Sequence, residues 1–144
     1  MENIDPNMAQ RVWQRVTANA APQSLKPLVY TLGETAMMYQ KLSQQLSGAA
    51  LERVKRMEKH TRQTADALRG MGHLRGEKIP RVQPKMTKDI DRLLPEKCCR
   101  RAQLLAREFE LRKNDPEWGK LFEILADRQW EDALFLLAVL GERT

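Results

Sequence analysis

The sequence predicts an all-α protein: an antiparallel four-helix bundle with one long crossover and a short extra N-terminal helix. Three observations carry this expectation. Apolar residues recur in alternating steps of three and four along four separate segments, the period of a single helix face. Two of the joints between those segments are only a few residues long, so each should fold its flanking helices side by side. The third joint, containing "GHLRGEKIPRVQPK", holds two Pro and two Gly and has no periodicity, which marks an extended connection. With 144 residues, 42% of them hydrophobic, the chain can bury one core without disulfide or metal staples.

The elements follow in order. Residues 1–22 form the extra helix and its linker. Asp5-Pro6 reads as an N-cap followed by Pro at the first helical position, and Met8, Val12 and Val16 share a face with Trp13 beside it. "ANAAPQ" ends that element. Residues 23–144 form the bundle. Ser24 is placed to cap its first helix, with Pro27 in the opening turn and a seam of Leu25, Leu28, Leu32, Thr35, Tyr39, Leu42 and Leu46. Ser47-Gly48 turns the chain. The second helix, about Ala50 to Gly70, has the seam Val54, Met57, Thr61, Thr64, Leu68 and Met71.

The crossover covers about residues 73–95, with Thr87 opening a small helical turn that ends near Pro95. At about 3.3 Å per residue it can run the length of a bundle whose helices are about 33 Å long. The third helix, Glu96 to Lys113, has the seam Cys98, Ala102, Leu105 and Phe109. Asp115-Pro116 repeats the cap-and-Pro signal and opens the last helix, with the seam Trp118, Phe122, Leu125, Gln129, Asp132, Leu136 and Val139. From Ala133 to Leu140 that helix is apolar on nearly every face, so it needs a cover beyond the bundle. Either the N-terminal helix with Trp13 or a second subunit can supply it, and Trp130, next to the seam, can serve either contact.

Charge and cysteine usage narrow the functional classes. Arg69 to Arg101 holds ten Lys and Arg against four Asp and Glu, which accounts for the whole net charge of +6. That basic stretch lacks interleaved aromatics for base stacking, so nucleic acid is not the expected partner. "ALFLLAVL", eight apolar residues, falls well short of the roughly 20 that span a bilayer. "MENIDPNMAQ" has acids where a signal peptide needs bases. Cys98 and Cys99 are adjacent, which disfavours a mutual disulfide and fits a reducing compartment, so a cytoplasmic protein is expected. Cys98 should pack as a small apolar residue, with Cys99 the more accessible of the two.

Two stretches carry a family resemblance. "NDPEWGKLFEILADRQWEDALFLLAVLG" resembles the last helix of bacterial rubrerythrin-like proteins, down to the Asp-Pro-Glu-aromatic-Gly start. "TRQTADALRG" resembles the second bundle helix of the same group, where Glu-x-x-His is followed by small residues, Leu, a base and Gly. The likeness covers roughly Leu25 to Gly141 and implies the ferritin-like fold. In metal-binding members two helices each give one Glu and the other two give Glu-x-x-His, all pointing inward. The resemblance places those positions at Thr61 and Thr64, at Gln129 and Asp132, and, seven residues before Tyr39 and Phe109, at Leu32 and Ala102.

Six positions thus retain one carboxylate and no imidazole, a poor set for iron or manganese. The expectation is a degenerate di-metal site with no catalytic residues, no metal and no cofactor, in a protein that acts through self-association or another protein. Thr61, Thr64, Gln129 and Asp132 should either satisfy one another, with Tyr39 and Arg101 as further polar partners, or each find a local partner. The alternative is a di-metal oxidoreductase with displaced ligands drawn from Glu34, Glu58, His60, Glu108 and Glu131. His60 precedes Thr61, off the seam, and is expected to face solvent, as is His73.

Overall fold

The structure, a computed structural model, describes residues 24–81 and 91–143. The extra helix expected within residues 1–22 and the turn expected at Thr87 lie outside them. Four helices follow in order: α1 (Lys26–Ser43), α2 (Gly48–Leu74), α3 (Leu94–Leu111) and α4 (Gly119–Arg143), with no strand among the described residues. The seams are the interior. Leu28, Leu32, Thr35, Tyr39 and Leu42 of α1 are buried, as are Val54, Met57, Thr61, Thr64 and Leu68 of α2. So are Cys98, Ala102, Leu105 and Phe109 of α3, and Phe122, Leu125, Gln129, Asp132, Leu136 and Val139 of α4. Helix α1 packs along α2, α3 along α4, and α1 also touches α3.

The apolar interior divides in two. One cluster joins the start of α1 (Leu25, Leu28, Leu32) to the end of α2 (Leu68), the end of α3 (Leu105, Phe109) and the start of α4 (Phe122, Leu125, Ala126). The other joins the end of α1 (Tyr39, Leu42), the starts of α2 (Val54, Met57) and α3 (Leu94, Cys98, Cys99, Ala102), and the later part of α4 (Ala133, Leu136). The connection from α2 to α3 therefore leaves the first cluster, where Ile79 is buried, and delivers Leu94 to the second. In the first cluster the Phe109 and Phe122 rings stack with centroids 6.2 Å apart.

Several helix ends differ from the sequence expectation, each for a local reason. Helix α2 runs past Gly70 to Leu74. Its end is a Schellman closure, in which Glu77 N–H donates to the Gly72 carbonyl (2.8 Å) and Gly76, at φ +81°, donates to His73 (3.0 Å). The Ile79 side chain folds back against Gly72, where any Cβ would crowd its Cδ1. Pro95 does not end a turn; it sits in the first turn of α3, where its missing N–H costs nothing. Ser24 shares the capping of α1. Glu77 Oε1 accepts from the backbone N–H groups of Leu25 and Lys26, both at 2.9 Å, and from Ser24 Oγ at 3.0 Å. A carboxylate from the crossover thus occupies the positive end of α1.

The α3–α4 turn is held from α2. Asp115 Oδ1 accepts from the N–H groups of Glu117 and Trp118 at 3.0 Å, the cap its sequence announces. The same carboxylate takes a two-pronged pair from Arg75, at 2.8 and 2.9 Å, and the Arg75 guanidinium lies 3.7 Å from the Trp118 ring centroid. Gly119 lies so close to the Lys113 carbonyl oxygen that a Cβ there would overlap it.

Hydrogen bonds from Arg75, helped by the two backbone N–H groups, hold the Asp115 carboxyl down at about 2. A depressed carboxyl stabilises the fold above its unfolded value near 3.9 and loses that contribution as pH falls through its folded value. Asp115→Asn, which keeps the cap but not the charge, is expected to lower the unfolding free energy at pH 7 by about 2 kcal/mol. In urea titrations that deficit should shrink between pH 4 and pH 2. A deficit independent of pH would mean that the charge is not the stabilising feature.

Candidate functional site

The six positions singled out by sequence are all inside the bundle: Leu32, Thr61, Thr64, Ala102, Gln129 and Asp132. Leu32 belongs to the first apolar cluster and Ala102 to the second. The polar four fall in neither, as does buried Thr35. They form a polar layer between the two apolar halves.

How that layer is satisfied follows from the shapes of its side chains. Threonine hydroxyls in a helix can turn back onto the preceding turn. Thr35 donates to the Thr31 carbonyl (2.6 Å), Thr61 to Met57 (2.6 Å) and Thr64 to His60 (2.8 Å). Each bond stays within one helix, so the local arrangement is the one adopted. Gln129 and Asp132 have no such recourse. Gln129 Oε1 and the Tyr39 hydroxyl, both buried, have no hydrogen-bond partner among the described residues.

Asp132 reaches Arg53, one position before seam residue Val54 on α2, at 3.3 Å. The Asp132 side chain is 7% exposed and that of Arg53 36%, so the pair links the interior to solvent. Burial pushes the Asp132 carboxyl up to about 6, with Arg53 and Arg128 opposing that rise. Burial, and next the charge of Asp132, push the Tyr39 hydroxyl well up from its ordinary value.

The remaining sequence candidates are spread out. Arg101 is not a partner of Asp132; its guanidinium pairs with Glu34 at 3.1 Å, on the flank where α3 meets α1. Glu58 pairs with Arg62 one turn along α2, at 3.1 Å. His60 and Glu131 are exposed and Glu108 is half-buried. Slight burial and then the nearby charges of Arg128, Lys59, Arg53 and Arg56 push the His60 imidazole down. His73 is exposed. Among the described residues no group of three or more His, Cys, Asp or Glu is arranged to hold a metal ion.

Cys99 is the more exposed of the two thiols, but only at 3% against 0%. It is buried beside Cys98, with Sγ 3.6 Å from the Ala133 carbonyl oxygen and from Gln103 Nε2. The broad contact of α3 with α4 covers the neighbour of the seam residue as well. Burial pushes the Cys98 thiol up to about 12 and that of Cys99 up as well, so neither is a ready thiolate.

Sequence reasoning missed Arg53 and a groove that it lines. The groove, of about 680 Å³, lies between the start of α2 and the later part of α4. Ser47, Ala49, Ala50, Arg53 and Arg56 form one wall, and Phe135, Ala138 and Val139 the other. The Arg53 guanidinium lies 5.6 Å from the Phe135 ring centroid. The sequence marks Arg53 only as a base one step off the apolar seam residue Val54. No helix among the described residues is long and apolar enough to cross a membrane. No family model, curated protein or solved structure matches this chain.

A raised carboxyl contributes stability below its unfolded value near 3.9 and loses it as pH rises through its folded value. Keeping Asp132 charged above pH 6 therefore costs on the order of 3 kcal/mol. Asp132→Leu is expected to leave the melting temperature at pH 7 unchanged or higher, because Arg53 can turn to solvent. It should also abolish the decline in stability between about pH 4 and pH 6. A collapse of the melting temperature would mean that Asp132 anchors a coupled network.

Proposed function

We propose that the chain is a metal-free relative of rubrerythrin-like proteins that works by binding another protein or its own copy. In this reading the bundle is ferritin-like: α1 and α4 run one way, α2 and α3 the other, and the long connection crosses its full length. The membership of the two apolar clusters supports those directions. Buried, free and unreactive thiols suit a cytoplasmic setting.

One observation carries the reading. The layer where the family's metal ligands would stand holds two threonines bonded to their own helices, one amide and one carboxylate tied to an arginine. Two divalent cations need several anionic or imidazole donors facing one another. Asp132 alone, with Arg53 beside it, would set a positive guanidinium where a cation should sit. The donor set does not fit a di-metal centre, so no redox step is assigned to it. An exposed apolar strip on α4 supports an interaction role: Leu134 is 66% exposed and Leu137 49%.

The test is elemental analysis of protein purified without chelators and then dialysed against iron or manganese. Less than one tenth of an equivalent of metal per chain is expected. Retention of two equivalents per chain would overturn the reading and favour displaced ligands.

A further inference from the structure

Helix α1 packs along α2, α3 along α4, and α1 touches α3, whereas α2 and α4 face each other across a wider gap. The groove in that gap, about 680 Å³, has the size of a small-molecule site, and in bundles such sites form between helices. Its lining is of two kinds. Phe135, Ala138 and Val139 of α4 and Ala49 and Ala50 of α2 make an apolar trough. Arg53 and Arg56 stand at the end nearer the middle of the bundle, Ser47 closes the other end, and no Asp or Glu is among the lining residues.

The two arginines are not equally committed. Arg53 is balanced by Asp132 at 3.3 Å, and its Nε is buried with no hydrogen-bond partner among the described residues. Arg56 is exposed and has no ion-pair partner among them. Neither Glu52, one turn earlier on α2, nor Glu131, one turn before Phe135 on α4, pairs with it. Lys59 and Arg128 add to the positive field on this flank, which neighbouring His60 feels. The groove thus sets one uncompensated cation at the end of an apolar trough.

We infer that this groove binds a small amphipathic monocarboxylate, its head on Arg56 and Arg53 and its alkyl chain along Phe135, Ala138 and Val139. A guanidinium meets a carboxylate through two parallel N–H groups, a match that neither an alcohol nor an ammonium head provides. One uncompensated charge suits a monoanion, whereas a phosphate dianion would have to draw its second charge from the Arg53–Asp132 pair. Arg56 and Ala49 lie seven positions apart on α2, about 10 Å along its axis, which matches roughly eight carbons of extended chain. Each methylene laid against α4 leaves water and adds to the affinity. A two-fold contact between copies, centred here, would instead set Arg53 and Arg56 against their own duplicates. The inference does not depend on whether the bundle binds metal or another protein.

Calorimetric titration of the full chain with decanoate near neutral pH tests it. One equivalent is expected to bind saturably. Acetate, which has the head without the chain, and decylammonium, which has the chain without the negative charge, should each bind at least tenfold more weakly. Arg56→Gln should weaken decanoate at least fivefold, and Ala138→Trp, which fills the trough, at least tenfold. Arg107→Gln, at an exposed position of α3, should change nothing. Arg56 and Ala138 are exposed as well, so both variants should keep the helical circular dichroism of the parent chain. The inference is overturned by an absence of saturable binding, by several decanoates per chain, by equal binding of acetate or decylammonium, or by an affinity unchanged in the two groove variants. A decanoate affinity that falls as protein concentration rises would overturn it too, since a second copy would then occupy the groove.

Discussion

A polar layer in the middle of the bundle constrains everything around it. Two apolar halves can each close by ordinary packing, but the groups between them are out of reach of water and must be satisfied by protein atoms. Threonines meet that demand cheaply, because a hydroxyl one turn above a carbonyl needs no partner helix. A carboxylate cannot, since it only accepts. Asp132 is instead met by a cation reaching inward from α2, and Arg53 is long enough to do so while its side chain stays partly exposed. Across this layer the two sides are linked by one charge pair, which compensates part of the cost of burying Asp132.

The ends of the bundle work differently. There the crossover does the joining: Glu77 caps α1 from just beyond the end of α2, and Arg75 clamps Asp115 and Trp118 at the α3–α4 turn. Both residues sit within three positions of the Schellman closure of α2. One compact turn thus fixes the entrance of α1, the exit of α2 and the entrance of α4. The first residues of the connection, though without periodicity, gain their position from these caps.

Most of the interior was legible in the sequence because a buried helix face repeats every three or four residues, and polar residues on that face stand out. Thr61, Thr64, Gln129 and Asp132 were visible for that reason alone. Arg53 was not. It lies 79 positions from Asp132 in the chain, one step off the seam, and nothing local distinguishes it from Lys55 or Arg56. Glu77 was hidden for a related reason, because its partners are the first N–H groups of a helix some fifty positions earlier. Cys99, expected from its off-seam place to be the more accessible thiol, is so only slightly, because two helices in broad contact cover more than one face position. The surface of α4 was legible as a problem rather than an answer: its apolar character was plain, and which part stays uncovered by the bundle was not.

Arg53 ties these parts together. The same side chain pairs inward with Asp132, lies over Phe135, and lines the groove between α2 and α4. Its position in the groove is therefore set from the interior. Protonating Asp132, whose carboxyl is raised toward neutrality by burial, removes the charge that draws the guanidinium inward. One arginine thus joins the buried carboxylate of the polar layer to the surface of the groove.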